Sequence, residues 1–259
     1  MKTLQLFYQY QRLHYAKWGQ YTSNFVIEAL TSLLELTIGL LTLSIVFSKI
    51  NLLGGWSLPE MLLLYATWIL GLSFYHTFGQ NIAELSNYIR TGAFDLILMK
   101  PVHPLFHMVC LGLNTKELSR MAYGIVILIV AVNIGNFPVE PYTWFIYILM
   151  VLFCNLLNFA LYATAVSVCF WLGYLPSLYG ILFSFTNVMQ YPLDIYPSLI
   201  RLVFIVLPLS FTSYFPAMYL LDKHGGSMGF LTPVIAIIWT LLAVKLWNKG
   251  IRYYQSTGN

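Results

Sequence analysis

Long apolar stretches recur along the chain and are separated by shorter polar or proline-containing segments. An α-helix needs about 20 mostly apolar residues to cross a bilayer core of about 30 Å, so each stretch predicts one transmembrane helix. The pattern predicts six of them, at residues 24–47, 58–79, 119–137, 142–171, 177–189 and 230–247. The fourth stretch is long enough to tilt or to project from the bilayer.

The segment 191–221, before the last stretch, is apolar but interrupted by prolines, namely Pro192, Pro197, Pro208 and Pro216. Each proline removes a backbone donor and disfavours helix at the residue before it. The pattern therefore predicts two short re-entrant half-helices rather than one straight span. Broken backbone of this kind is tolerated at membrane depth only where protein or water covers it.

Composition supports a membrane protein. Of the 259 residues, 59% are hydrophobic and 8% are charged, whereas a soluble domain has about 25% charged residues. No polar stretch is long enough to enclose a core of its own, which favours a single all-α membrane domain over residues 1–259. The cysteines lack a metal-binding spacing and are predicted to be buried small hydrophobes, at Cys110, Cys154 and Cys169.

Basic residues predict the orientation, because Lys and Arg near span ends resist translocation. With six spans and a cytoplasmic N-terminus, 10 of the 13 basic residues face the cytoplasm, and the exceptions are Lys49, Arg201 and Lys223. Both termini are then cytoplasmic, in a multi-pass protein of the cell membrane. The net charge of +4 reflects these inner loops and is no argument for nucleic-acid binding.

The first 20 residues lack the continuous apolar region and the cleavage site of a signal peptide. One strip of their helical wheel is polar and contains Lys2, Gln5, Gln9 and Arg12. Another strip is mostly apolar and contains Leu4, Phe7, Tyr8, Tyr15 and Trp18. This separation predicts an interfacial helix over residues 1–20, with a disordered tail as the alternative.

Two carboxylates lie within the first predicted span. Glu28 and Glu35 are seven residues apart and therefore on one helix face, with Thr31 between them. Glu35 lies about 16 Å along the helix, near the middle of the bilayer core. The polar face indicates a solvated path or a subunit interface, or else carboxyl groups that are neutral or bonded to a neighbouring helix. Candidate partners for the bonded case are the tyrosines, His76, Asn133, Asn155 and Asn158.

Motifs for catalysis are missing from the sequence, which contains no GxxxxGK[ST], HExxH or GxSxG pattern. We therefore predict no catalytic residue, no metal site and no cofactor on this chain. A chain without a nucleotide-binding loop cannot itself drive transport with ATP.

A charged segment punctuated by Gly and Pro occupies residues 87–106, between the second and third stretches. Its first part continues a helix that Gly92 is placed to end in a left-handed conformation, with Arg90 in the last turn. A short apolar piece carrying Asp95 follows, and Lys100-Pro101 and His103-Pro104 predict extended backbone. Such an element is a candidate for docking on a soluble partner, and an interfacial connector is the alternative.

The pattern I-R-T-G-x-F-D-x-x-L-x-K-P-x-x-P in this segment resembles the cytoplasmic loop of permease subunits in the ABC-2 class of ATP-binding-cassette exporters. The proline-broken block and the tail W-N-K-G-I-R-Y-Y-Q-S-T-G-N are similar to the corresponding parts of the same class. The resemblance covers essentially the whole chain. It implies an exporter made of two permeases, as a homodimer or a heterodimer, and two copies of a separate cytosolic ATPase that binds ATP and Mg.

The resemblance also assigns roles to parts of the chain. Residues 1–20 would be the connecting helix, 80–105 the coupling segment and 191–221 the external half-helices. Contact with the ATPase would fall to Glu84, Arg90, Gly92, Asp95 and Lys100. A rigid helix over residues 79–89 would pass the motion of the docked segment to the spans. The cargo is left open among peptides, lipid-like molecules and drugs.

Two other classes stay open. An ion- or proton-coupled secondary transporter would use Glu28 and Glu35 as its relay and the broken region as discontinuous helices. An enzyme acting on lipids would need a carboxylate or His cluster that the sequence does not contain. An inert assembly subunit is less favoured than either.

Overall fold

The computed structural model describes residues 5–12, 22–112, 114–137, 140–175 and 177–256, and no β-strand occurs among them. The helices of this part of the chain are α1 (5–12), α2 (Thr22–Phe47), α3 (Leu58–Phe74), α4 (Leu85–Arg90), α5 (Phe94–Leu98), α6 (Pro104–Cys110), α7 (Thr115–Gly135), α8 (Pro141–Ser167), α9 (Cys169–Leu172), α10 (Ser177–Val188), α11 (Ser198–Val206), α12 (Tyr214–Leu220) and α13 (Thr232–Tyr253). The predicted all-helical class is confirmed.

Five helical stretches of the described residues are long and apolar enough to cross a membrane, at Val26–Phe47, Leu58–Arg90, Glu117–Gly135, Pro141–Leu172 and Gly226–Tyr253. The predicted fifth span corresponds to α10, which has 12 residues. Its helical rise of about 18 Å is shorter than a bilayer core of about 30 Å. The count of six crossings therefore stays a prediction.

The chain around α10 nevertheless passes from one end of the helix bundle to the other. Before α10, the ring of Tyr174 lies 5.0 Å from the guanidinium carbon of Arg90, beyond the C-terminal end of α3. After α10, the Asp194 carboxylate accepts a hydrogen bond from Trp56, just before the start of α3. The segment thus runs antiparallel to α3 over the whole length of that helix.

Helix α3 is the centre of the bundle. It is buried over most of its circumference, from Met61 to Ser73, and packs against α7 and α8. Helix α2 packs on α7 through one face that contains Ser32, Leu36 and Leu43. Helix α13 packs along α8 in turn. Apolar side chains around α2, α7 and α13 are exposed on the outside of the bundle, as a protein surrounded by lipid requires.

The second span, predicted over residues 58–79, has regular α-helical geometry only as far as Phe74, and the rigid helix expected over residues 79–89 is not one regular α-helix. A π-turn at Tyr75–Gly79 and a 3-10 turn at Gln80–Glu84 precede α4. The side chain of Asn155 on α8 donates to the Leu70 carbonyl (2.9 Å) and accepts from the Phe74 amide (2.8 Å). These two backbone groups would pair with each other in a regular α-helix, so the neighbouring helix sets the position of the break.

Residues 82–108 have an apolar core of their own at this end of the bundle. Ile82, Leu85, Phe94 and Met108 are buried there with Phe170, Trp247 and other residues from the ends of α8 and α13. Gly250 allows the close approach, because a Cβ atom at this position would overlap the Phe170 ring. The segment is therefore tied to α8, α9 and α13 as well as to α3.

The segment that leads from α5 to α7 contains a helix that the sequence did not predict. His103 has the predicted extended conformation, but Pro104 begins the helix α6. Proline is favourable at this first helical position, because its missing N–H would have no intrahelical partner there.

The segment 191–221 contains two short helices, α11 and α12, in agreement with the predicted pair. Pro192 and Pro197 have extended backbone before short helical pieces. Pro208 precedes a 3-10 turn at Leu209–Thr212. Pro216 lies within the first turn of α12, where a backbone donor is not needed, and does not break the helix. The depth of the segment in a membrane stays a prediction.

Candidate functional site

The corner that ends α4 has the predicted conformation. Gly92 adopts φ +71°, in the left-handed region that favours glycine. The Thr91 amide donates to the Asn87 carbonyl (3.0 Å) and the Gly92 amide to the Ile89 carbonyl (3.2 Å). Arg90 lies in the last turn of α4, where a cation interacts favourably with the helix dipole. This corner positions α5 across the end of the bundle.

Helix α5 has one buried and one exposed apolar face. Phe94 and Ile97 are buried in the local core, whereas Leu96 is 64% exposed and Met99, just after the helix, is 79% exposed. Lys100 is exposed beside them. Leu96, Met99 and Lys100 form what we call the α5 ridge. It lies on a short helix whose other face is firmly packed.

Asp95 faces the C-terminal tail rather than the α5 ridge. Its Oδ2 accepts a hydrogen bond from the Ser256 hydroxyl (2.6 Å). The ring of Tyr254 packs edge-on against Phe94, with centroids 5.1 Å apart. Burial and the neighbouring Asp95 carboxylate raise the pKa of Tyr254 to about 12. The predicted contact residue Asp95 therefore holds the tail against α5, a role that the sequence did not indicate.

A polar cavity of about 590 Å³ lies beside this corner, between the turns after α3 and the beginning of α10. Its wall consists of uncharged polar side chains, one carboxylate and two tyrosines, contributed mainly by Gln80, Asn81, Glu84, Asn114, Tyr174 and Tyr179. The Asn114 side chain donates to Gln80 Oε1, and the Asn114 amide donates to the Thr77 carbonyl (2.9 Å). Glu84, which was predicted to contact the ATPase, lies on this wall.

Arg90 borders the cavity. Its guanidinium carbon is 5.0 Å from the centroid of the Tyr174 ring, and its Nη2 donates to Asn87 Oδ1 (2.9 Å). Tyr174 and Asn87, which line the cavity, therefore both contact the cationic side chain of Arg90. The predicted site residues Glu84 and Arg90 thus meet at the cavity, whereas Asp95 and Lys100 lie on the other side of the corner.

Helix α1 packs against the same end of the bundle. Phe7 lies 5.7 Å from Phe78, and Tyr10 lies 5.6 Å from His107, between ring centroids. Burial, and secondarily the charge of Lys100, lowers the pKa of His107.

The exposed and buried faces of α1 differ from the predicted strips. Gln11 is buried, although the sequence did not assign it to either strip, and Tyr8 is 69% exposed, although it was assigned to the apolar strip. The exposed positions Gln5, Gln9 and Arg12 agree with the predicted polar strip. Lys2, Leu4, Tyr15 and Trp18 lie outside the described residues.

The carboxylates of α2 lie on an exposed side of that helix. Glu28, Thr31 and Glu35 are all exposed, and the Thr31 hydroxyl donates to the Ile27 carbonyl (2.8 Å) of its own helix. Glu35 forms an ion pair with Arg120 of α7 (3.7 Å), which also pairs with the buried Glu117 (3.5 Å). Arg120 was not among the predicted partners, because the sequence placed it in the cytoplasmic region.

The opposite end of the bundle contains a polar cluster that the sequence did not indicate. Asp194 Oδ2 accepts hydrogen bonds from Trp56 Nε1 and from the Tyr214 hydroxyl, both at 2.8 Å. The Lys223 ammonium lies 2.9 Å from Glu60 and 4.7 Å from the centre of the Trp56 ring. The cluster joins segments that are more than 100 residues apart, and no local motif marks it.

Titratable side chains do not form a metal-type group within the described part of the chain. The three cysteines are buried and free, in agreement with the prediction. Burial raises the pKa of Cys110 to about 11, which disfavours the reactive thiolate.

Comparison with known proteins supplies the family. No curated protein and no solved structure matches the chain. Residues 33–258 match the family described as ABC-2 family transporter protein. The match begins within α2 and includes the turns after α3, the α5 ridge, the proline-broken segment and most of the tail. The chain therefore belongs to the ABC-2 family and is a multi-pass membrane permease of an ABC-type transporter.

Proposed function

We propose that the chain is the membrane-spanning subunit of an ATP-driven exporter and that the α5 ridge docks on a separate cytosolic ATPase. The observation that carries the proposal is the exposure of Leu96 and Met99 on a helix whose opposite face is packed. Large apolar side chains exposed at a polar end of a membrane protein are typical of a protein contact. ATP and Mg would be bound by the partner, and this chain needs no cofactor.

Motion of the ATPase would reach the bundle through the apolar core shared by α4–α6, α9 and α13. Displacement of α5 acts on Phe94, which packs against Phe170 of α9 (5.4 Å between ring centroids). Phe170 in turn contacts Trp247 of α13 (5.3 Å). This route replaces the single rigid helix expected over residues 79–89, because a 3-10 turn lies within that range and a π-turn precedes it. An ATPase shifts the permease between states only if it binds them with different affinities.

The proposed topology has six crossings and both termini in the cytoplasm. The segment from Tyr174 to Asp194 runs between the two ends of the bundle and would supply the fifth crossing, with α10 as its helical part. Arg201 and Lys223 lie at the end with Asp194, whereas Arg90 and Lys100 lie at the other. The excess of basic residues at the second end favours its placement in the cytoplasm.

A second permease would complete the translocation path. The exposed strip Glu28, Thr31 and Glu35 supports this proposal, because carboxylates facing lipid would cost several kcal/mol. Two permeases and two ATPases would form the exporter, with the partner permease either identical or related. Peptides, lipid-like molecules and drugs are the cargo classes that we consider.

The test is co-purification of the chain from native membranes, followed by a search for a bound protein with a Walker nucleotide-binding loop. We expect Leu96→Asp to reduce the amount of bound ATPase at least tenfold, because a carboxylate would be buried in an apolar contact. The matched control is Leu52→Asp. Leu52 is 60% exposed, against 64% for Leu96, but lies in the loop at the opposite end of the bundle.

Equal ATPase recovery with both variants would show that the α5 ridge is not the docking surface. Recovery of transport by the purified chain under a pH gradient, without any ATPase, would instead support the secondary transporter. That result should be abolished by Glu35→Gln.

A further inference from the structure

The cavity beside Tyr174 has a wall suited to one kind of ligand. Of the described side chains that line it, Glu84 is the only one with a formal charge. The other polar side chains apart from the tyrosines carry neutral amide or hydroxyl groups, from Thr77, Gln80, Asn81, Ser86, Asn87 and Asn114. Glu84 forms no ion pair with another described residue. Among the described residues, the cavity therefore combines one carboxylate that has no ion-pair partner with neutral amide and hydroxyl groups.

Two tyrosine rings complete this environment. Tyr174 and Tyr179 line the cavity, and the face of a tyrosine ring attracts a cation through its quadrupole. Arg90, at the edge of the cavity, already makes such contacts, because its guanidinium lies over the Tyr174 ring and donates to Asn87. A ligand cation would meet the same kinds of groups farther inside, together with the carboxylate of Glu84.

We propose that this cavity binds the ammonium group of an amphipathic primary amine. Glu84 pairs with the ammonium, the amide oxygen of Asn81 accepts a further hydrogen bond from it, and Tyr179 contacts it through the ring face. The apolar part of the amine packs on the rings of Tyr174 and Tyr179, which line the cavity. The inference rests on the proposed function only in treating the bound amine as cargo.

An anionic ligand fits the cavity less well. It would approach Glu84 at close range, and Arg90, which is the basic residue that borders the cavity in the described part of the chain, is already oriented by Asn87 and Tyr174. An uncharged polar ligand would gain no charge-assisted hydrogen bond from the Glu84 carboxylate, and such bonds are the stronger ones. A protonated primary amine would pair with the Glu84 carboxylate and could also donate hydrogen bonds to amide oxygens of the wall.

The test uses dansylcadaverine, an amphipathic primary amine with an environment-sensitive fluorophore, and the purified permease in detergent without nucleotide or ATPase. We expect saturable binding that Glu84→Gln weakens at least tenfold, since the variant removes the charge and keeps the shape. The matched control Glu140→Gln, in an exposed carboxylate at the start of α8, should bind like the unaltered protein. N-Acetylated dansylcadaverine, which has no charge, should bind the unaltered protein at least tenfold more weakly than the amine.

Equal affinity of the amine for the Glu84→Gln variant and the unaltered protein would overturn the proposal. Equal affinity of the unaltered protein for the amine and its acetylated form would do the same, and this comparison needs no variant to fold. Co-purification of the ATPase is measured separately, on the chain isolated from native membranes. Amine binding without an associated ATPase would refute the proposed function and leave the amine site standing, whereas the reverse would refute only the amine site.

Discussion

Asn155 illustrates how one side chain shapes this permease. Its carboxamide bonds a carbonyl and an amide of α3, and the neighbouring Asn158 donates to the Gly71 carbonyl (2.8 Å). In a water-free interior, backbone groups released from a helix need other partners, and a carboxamide supplies both a donor and an acceptor. The sequence marked both asparagines as candidate partners for carboxylates. Their partners on α3 are backbone groups instead, and Asn155 also donates to the Val151 carbonyl of its own helix.

Replacing Asn155 by leucine should destabilise the protein by about 2 kcal/mol or more, because the Leu70 carbonyl and the Phe74 amide would lose a buried partner. The measurement is the free energy of unfolding in detergent micelles. Asn133→Leu is the matched control, since Asn133 is exposed on α7. A similar change in both variants would show that the carboxamide does not support the π-turn.

Helix α5 has only five residues and depends on its surroundings. A helix this short is not stable alone in water. Its apolar pattern and its left-handed stop at Gly92 could be predicted because they are local features. The attachment of the tail through Tyr254 and Ser256 could not, because these residues are about 160 positions away in sequence.

Loss of the hydrogen bond between Asp95 and Ser256 should weaken the attachment of the C-terminal tail to α5. We expect Asp95→Ala to increase amide hydrogen exchange in residues 250–256 about fivefold, which corresponds to about 1 kcal/mol for one hydrogen bond. Ser256→Ala should have the same effect, since it removes the other partner. Asp222→Ala, in an exposed residue at the opposite end, serves as the control. Unchanged exchange in both tail variants would argue against the contact.

At the scale of the whole molecule, a group of polar residues lies at each end of an apolar helix bundle. One end contains the cavity, the α5 ridge and the tail. The other contains Asp194, which links the start of α3 to α12 through Trp56 and Tyr214. Hydrogen bonds to a charged acceptor are stronger than neutral ones, so this cluster holds the proline-broken segment to the rest of the bundle.

Trp56→Phe should lower the free energy of unfolding by about 1.5 kcal/mol, since the ring is retained and the indole donor to Asp194 is lost. Denaturation in micelles measures the change. Trp171→Phe provides the comparison, because Trp171 is 38% exposed. If the two tryptophan variants are equally stable, the bond to Asp194 contributes nothing measurable.

The sequence alone determined the membrane class, the positions of the long helices and the corner at Gly92, because each depends on neighbours within about 20 residues, and its motifs along the chain indicated the family. Only the tertiary structure decided the break after α3, the partner of Glu35, the contact of Asp95 with the C-terminal tail and the cavity at Glu84. These features arise where distant segments must satisfy one another's polar groups in a medium without water. Local pattern shows that such groups exist, and packing selects their partners.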